Sequence, residues 1–313
     1  MKNNFSINKI ILFTIIIIIF YVGILVYSDL NEISNHISLF QFTYLPIIFI
    51  LMGIQLLLLG FKYHRMLKKI GVNLSVRQSV KIFIAGISLI ATPGGAGTAI
   101  KSQILKSKYN IPISKSLPII FMERLTELLG ILFVLSIFFL WTNLIESVIA
   151  IGLGFLFSLI MYLLVSKNKM FTSIRKILLK INKFKKLSDS LDESRESFSI
   201  LSRKSVFAEM IGWSFFSKLA QFFAIYFIFL SLELDIGILN AGQIYYTSLV
   251  LGSLSLLPSG IIITESTMIA ILVNHGVEIS LASLLVIFTR LITTWLGTIL
   301  GIIMLKIVQS EKN

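Results

Sequence analysis

Two arginines lie inside long apolar runs, Arg124 in Leu117–Leu140 and Arg290 in Leu281–Ile307. A charged side chain at the centre of a bilayer costs at least about 2.5–3.5 kcal/mol on insertion scales, so it must face protein or a wet cavity. Arginine is also the side chain that grips a phosphate in two places with a planar fork. Each arginine follows a break in an apolar run by nearly the same interval. Pro93-Gly94-Gly95-Ala96-Gly97 leads to Arg124, 31 residues beyond its proline, and Pro258-Ser259-Gly260 leads to Arg290, 32 beyond its own. Proline removes a backbone donor and glycine admits angles other residues resist, so each break ends one helix and lets another start. A restarted helix offers free N–H groups and the positive end of its dipole. Arginines and helix starts together make a receptor for an anionic head group inside a membrane.

Other ionisable groups stand near these motifs. Glu123 is beside Arg124 and Glu127 is one turn on, so a structural ion pair and a ligand site both fit Arg124. Arg290 has no acid in its own run; Glu265, just past the second break, is its expected partner, and a proton-carrying role fits Glu265 as well. Lys218, in Ser205–Leu232, reaches either a phosphate or the interface. The chain has no cysteine and its three histidines are far apart, so no metal site and no cofactor are expected. The residues expected to bind substrate are therefore Pro93, Gly94, Gly95, Gly97, Glu123, Arg124, Glu127, Lys218, Pro258, Gly260, Glu265 and Arg290.

The elements that position them repeat. Asn110–Leu125 aligns on Gly276–Leu291 without a gap, with Ile113, Ser114, Arg124 and Leu125 matched by Ile279, Ser280, Arg290 and Leu291. At 1.5 Å per residue each arginine stands about 15 Å beyond its serine, about half the depth of the hydrocarbon core. With 56% hydrophobic and 14% charged residues the chain reads as an all-α integral membrane protein. The full spans are Asn8–Ser28, Phe42–Phe61, Leu117–Leu140, Ile145–Val165, Ser205–Leu232 and Leu281–Ile307. Two hairpins separate them. Ser79–Ala91 ends at the first break, and Gln243–Leu257 and Ile261–Val273 flank the second. Their arms are too short to cross alone, which favours re-entrant hairpins over bent spans.

Charge orients this arrangement. With the N-terminus in the cytoplasm, 25 of the 28 Lys and Arg fall on the cytoplasmic side and none in an outer loop; Arg124, Lys218 and Arg290 remain inside. The net charge of +13 is thus an orientation signal and not a nucleic-acid footprint. Residues 166–204 form a basic cytoplasmic linker, in which Phe171–Phe184 lies on the membrane surface or in solvent. A single domain, 1–313, then divides into repeats of about 1–142 and 143–313, the second inverted relative to the first.

Thr92-Pro93-Gly94-Gly95-Ala96-Gly97, Met122-Glu123-Arg124-Leu125, Leu257-Pro258-Ser259-Gly260 with Glu265, and Arg290-Leu291, in this order and spacing, resemble the lysylphosphatidylglycerol synthase transmembrane region family. It is also called the flippase-like domain or uncharacterised protein family 0104. The resemblance covers essentially the whole chain. It implies a multi-pass plasma-membrane protein whose best-understood relatives move aminoacylated phosphatidylglycerol between leaflets, and whose archaeal relatives carry the domain behind a glycosyltransferase acting on dolichol phosphate. Neither a synthase nor a glycosyltransferase segment lies within the 313 residues, so a stand-alone domain is expected, with any such enzyme a separate partner. Two departures stand out. Thr98-Ala99 replaces the acid usual after the first break, and Ile262 replaces a later glycine of the second, so the family's substrate does not transfer. The expected function is movement of an anionic or aminoacylated phospholipid, or a polyprenyl-phosphate-linked lipid, between leaflets. The alternative is a membrane enzyme or assembly subunit acting on polyprenyl-phosphate sugars.

Overall fold

The computed structural model describes residues 36–37, 40–89, 98–141, 145–166, 194–234, 236–255 and 257–311. The expected first span, the first Pro-Gly break with Pro93, Gly94, Gly95 and Gly97, and the amphipathic stretch 171–184 lie outside these. The described elements are helical: α1 Leu45–Lys69, α2 Val76–Ile87, α3 Ile100–Tyr109, α4 Ile113–Phe139, α5 Ile145–Ser166, α6 Lys204–Ser231, α7 Ile238–Leu254, α8 Ile263–Asn274, α9 Ile279–Arg290 and α10 Leu296–Ser310. Helices Phe42–Lys69, Ile145–Ser166, Lys204–Ser231 and Ile279–Ser310 are long and apolar enough to cross a membrane. The fifth long helix, α4, has 27 residues and carries Glu123, Arg124 and Glu127. The chain is an all-α, multi-pass membrane protein.

Local sequence explains the ends. Pro46 lies in the first turn of α1, where a missing N–H costs nothing. Ser75 and Gln78 close a capping box ahead of α2. Asn110 ends α3 in the left-handed conformation, φ 55°. Pro118 lies inside α4 and donates nothing to the carbonyl of Ser114 four residues back. That carbonyl accepts instead from the hydroxyl of Ser194, at 2.7 Å, so a turn of helix at 194–201 is fixed on α4.

The short helices α2, α3, α7 and α8 have 12, 10, 17 and 12 residues, each below the roughly 20 that cross a bilayer. The second break is as expected but sharper. Ser259, Gly260 and Ile262 all have positive φ, at 51°, 64° and 79°. Two span segments differ from expectation. α1 runs on to Lys69 where a cytoplasmic loop was expected from Lys62, and the last span, though continuous, is not α-helical throughout. Directly after Arg290, Leu291–Trp295 forms a π-helical turn, an irregularity that a helical hydrophobic pattern does not register.

Packing is reciprocal. α1 packs along α6, α2 packs on α10, and α7 packs on α4. Small residues set the closest approaches. A Cβ at Gly301 would stand 2.4 Å from the backbone N of Ser88, and one at Gly130 would stand 2.8 Å from Cβ of Ser214.

Candidate functional site

α4 carries its three charged residues into the seam between α1, α3 and α6. Lys62 of α1 is fully buried. Its ammonium donates to Glu127 Oε1 at 3.3 Å, the Ser214 hydroxyl at 3.0 Å and the Glu123 carbonyl at 3.4 Å. Lys101 of α3, also buried, donates to Glu123 Oε2 at 2.6 Å. It lies over the rings of Tyr63 and Phe83, at 5.1 and 5.2 Å from their centroids, an arrangement in which ring quadrupoles help hold a desolvated cation. Arg124 Nη1 is 3.9 Å from Glu127 Oε2, and the Arg124 side chain is 42% exposed. It stands at the open side of an otherwise enclosed cluster.

Lys218 of α6 extends the cluster. It is 6% exposed, its hydrogen bond goes to Gln221 Oε1 at 3.1 Å, and Glu127, Lys62 and Arg124 lie within electrostatic reach. Gln221 passes the contact on, donating to the Tyr245 hydroxyl of α7 at 3.0 Å. Tyr245 in turn is hydrogen-bonded with Thr293 and lies within electrostatic reach of Arg290. There the second cluster begins. Arg290 Nε donates to Glu265 Oε1 at 2.6 Å with both side chains buried, and its Nη2 donates to the carbonyl of Ser259 at 2.7 Å. The arginine therefore ties α9 to the Pro258–Gly260 break as well as to α8.

The structure thus brings together Glu123, Arg124, Glu127 and Lys218, and separately Glu265, Arg290 and the break at Pro258 and Gly260. The two arginines do not share one carboxylate; a polar line of Lys218, Gln221 and Tyr245 runs between their clusters. Lys62 and Lys101, counted from sequence among the cytoplasmic loop cations, are corrected to buried members of the site. Their signal was helical phase. Gln55, Leu59, Lys62 and Met66 share the buried face of α1, and Lys101, Ile104 and Leu105 that of α3. Both continue an apolar stripe that a count of charges by segment overlooks.

The formal charges do not cancel. Lys62, Lys101, Arg124 and Lys218 contribute +4 and Glu123 and Glu127 −2, a surplus of +2. Arg290 and Glu265 sum to zero. Three of the four cations, Lys62, Lys101 and Lys218, are buried, and unbalanced charge away from water is costly. No group of three or more possible metal-binding side chains occurs among the described residues.

A helical membrane bundle with broken short helices and buried cations is the class these observations define. The profile of the family described as "Lysylphosphatidylglycerol synthase TM region" matches residues 11–301, and the chain belongs to that family. It is 24% identical to the UPF0104 membrane protein MJ1595 of Methanocaldococcus jannaschii over 326 aligned residues, 98% of this chain and 97% of that one. It is also 28% identical to the UPF0104 membrane protein PH1989 of Pyrococcus horikoshii over 282 aligned residues, 81% and 84% of the two chains.

Proposed function

We propose that this protein moves a lipid with an anionic, phosphate-bearing head group between the leaflets of the plasma membrane. The observation that carries the reading is the surplus of +2 in the cluster on α1, α3, α4 and α6, three of whose cations, Lys62, Lys101 and Lys218, are buried while Arg124 is partly exposed. A purely structural network would be expected to balance its charges, because each unpaired ion far from water is destabilising. An anion that visits the site and leaves again accounts for the imbalance. Arg124 is the entry residue and Lys218 the deep one, with Lys62 and Lys101 holding Glu123 and Glu127 in place. Arg290 and Glu265 organise the second break, next to Pro258 and Gly260.

The packing supports reading the chain as an inverted repeat. The first arm of each hairpin packs on the last long helix of the other half, α2 on α10 and α7 on α4, while α1 packs on α6 at the centre. Two halves related in this way give alternating access by rocking about a shared midplane site. The basic ends then face the cytoplasm together with the N-terminus. A phospholipid or polyprenyl-phosphate lipid is the partner in this reading, supplied or consumed by a separate synthase or glycosyltransferase.

Leaflet exchange in liposomes tests it. The purified protein is reconstituted with fluorescent phosphatidylglycerol, its lysyl ester or a short polyprenyl-phosphate sugar, and compared with Arg124→Ala. Arg124 is partly exposed and its substitution leaves the buried pairs intact. Protein-dependent exchange of at least one lipid, slowed in the variant, is expected. No exchange of any of them, with or without an ion gradient, would overturn transport and favour a membrane enzyme or assembly subunit.

A further inference from the structure

The way the two carboxylates of the first cluster are engaged says more about the head group than its sign alone. Glu123 is taken by Lys101 at 2.6 Å, and Glu127 by Lys62 at 3.3 Å with Arg124 at 3.9 Å. Glu265 of the second cluster is taken by Arg290 at 2.6 Å. A head group bearing an ammonium would find each of these acids already neutralised and would face four cations at close range. Like charges brought together in this way are strongly unfavourable.

Two cations remain under-used. Lys218 donates to neutral Gln221, its one hydrogen-bond acceptor among the described residues. Arg124 stands 3.9 Å from Glu127, an ion pair beyond hydrogen-bond range, and its fork donates no hydrogen bond to another side chain among the described residues. The two lie on neighbouring helices, α4 and α6, and within electrostatic reach of each other. Arg124 is partly exposed and Lys218 is buried. A head group that reaches both would touch an exposed fork and a buried ammonium. The charge it must bring to neutralise the cluster is two.

We propose that the Arg124–Lys218 cluster selects a doubly charged phosphate, the monoester head group of a lipid, over singly charged phosphodiesters and over aminoacylated lipids. This rests on the transport reading above and narrows it. A terminal phosphate offers three oxygens and nearly two charges at neutral pH, enough to satisfy the fork of Arg124 and the ammonium of Lys218 together. A phosphodiester offers two free oxygens and one charge, and leaves half the surplus in place. A lysyl ester adds cations where none is wanted.

The test is exchange in phosphatidylcholine vesicles at pH 8, each carrying one fluorescent probe: phosphatidic acid, phosphatidylglycerol or lysylphosphatidylglycerol. A parallel set contains entrapped inorganic phosphate, which has the same chemistry without the lipid. The expected order is phosphatidic acid, then phosphatidylglycerol, then the lysyl ester. Lys218→Met is expected to lower the ratio of monoester to diester rates at least about tenfold, the factor for one charge-assisted hydrogen bond. Lys218→Arg is expected to preserve the order. Monodisperse elution and unchanged helical circular dichroism establish that both variants are folded. If Lys218→Met is not, the order in the wild-type protein decides by itself. Equal rates for monoester and diester, or faster exchange of the lysyl ester, would overturn the head-group assignment while transport stands. Release of phosphate without lipid exchange would overturn the assignment to a lipid. Absence of every flux would overturn the transport reading and this one with it.

Discussion

Replacing Arg290 by methionine removes a buried cation from a pair whose oxygen and nitrogen are 2.6 Å apart and whose side chains are 3% and 0% exposed. Breaking such a pair from one side strands a charge, at a cost of about 3–5 kcal/mol. The variant also loses the bond from Nη2 to the Ser259 carbonyl, worth about 1 kcal/mol more. Glu265→Leu strands the arginine instead, at about 3–5 kcal/mol. The double variant strands neither, and replacing a buried pair by apolar groups of similar volume is often neutral. Its loss should therefore be about 1–2 kcal/mol, mostly the exposed carbonyl of Ser259. The singles sum to far more, so a coupling of several kcal/mol is predicted. The assay is reversible unfolding in mixed micelles across the four-member cycle. Additive losses within about 0.5 kcal/mol would refute the reasoning, because they would mean the two side chains do not share a desolvated environment.

Other substitutions probe the frame around the sites. Ile262→Gly is expected to stabilise the protein by about 1 kcal/mol, since relief of a β-branched residue at φ 79° is worth about 1–3 kcal/mol and the added chain freedom costs about 0.5–1; the same unfolding assay reads it, and a loss of stability would show that the Ile262 side chain contributes more by packing. Gly301→Ala should destabilise by about 1–3 kcal/mol, because its methyl would stand 2.4 Å from the Ser88 backbone N and wedge α10 off α2; unchanged unfolding would contradict that contact. Lys81, hydrogen-bonded to Glu311, holds that carboxyl below the usual carboxylate range, and Lys108 donates to the Glu311 carbonyl at 2.6 Å. The group's folded pKa is depressed, so the clamp on α2 is present above the ordinary carboxylate pKa and is released as pH falls through the folded one. A spin label at Ser310 should be restrained at pH 7 and freed once the pH is brought below the ordinary carboxylate range, with Glu311→Gln giving the freer spectrum at both.

How much of this was legible in the sequence depends on what carried the signal. The helical class and the membrane followed from long apolar runs, and the second break followed from Pro258 and Gly260, whose backbone requirements are local. Glu265 was legible as the partner of Arg290 because a lone cation in an apolar run needs an acid nearby. Lys62 and Lys101 were not read as site residues. Each borders a basic stretch, and the same ammonium serves for orientation in a loop or for pairing in a bundle; which one applies is decided by the helical face and by what packs on it. The π turn after Arg290 was invisible for a related reason. Leu291–Trp295 has ordinary helix-compatible residues, and nothing in their types marks the shift in hydrogen bonding. The line from Lys218 through Gln221 to Tyr245 joins residues of two helices, and nothing in their spacing announced it.

The central claim is that a phosphate head group sits among the cations of α1, α3, α4 and α6, and distance measurement tests it most directly. In bilayers holding the protein with nitrogen-15 in its lysine and arginine side chains, and phosphatidic acid as the phosphorus source, solid-state magnetic resonance detects nitrogen within several ångströms of phosphorus. Individual signals are assigned by their loss in Arg124→Gln and Lys218→Met. The account predicts close approach of phosphorus to Arg124 and Lys218, abolished when excess phosphatidylcholine replaces the phosphatidic acid. Close approach only to surface lysines such as Lys106 and Lys108, with the Arg124 and Lys218 signals untouched, would contradict it.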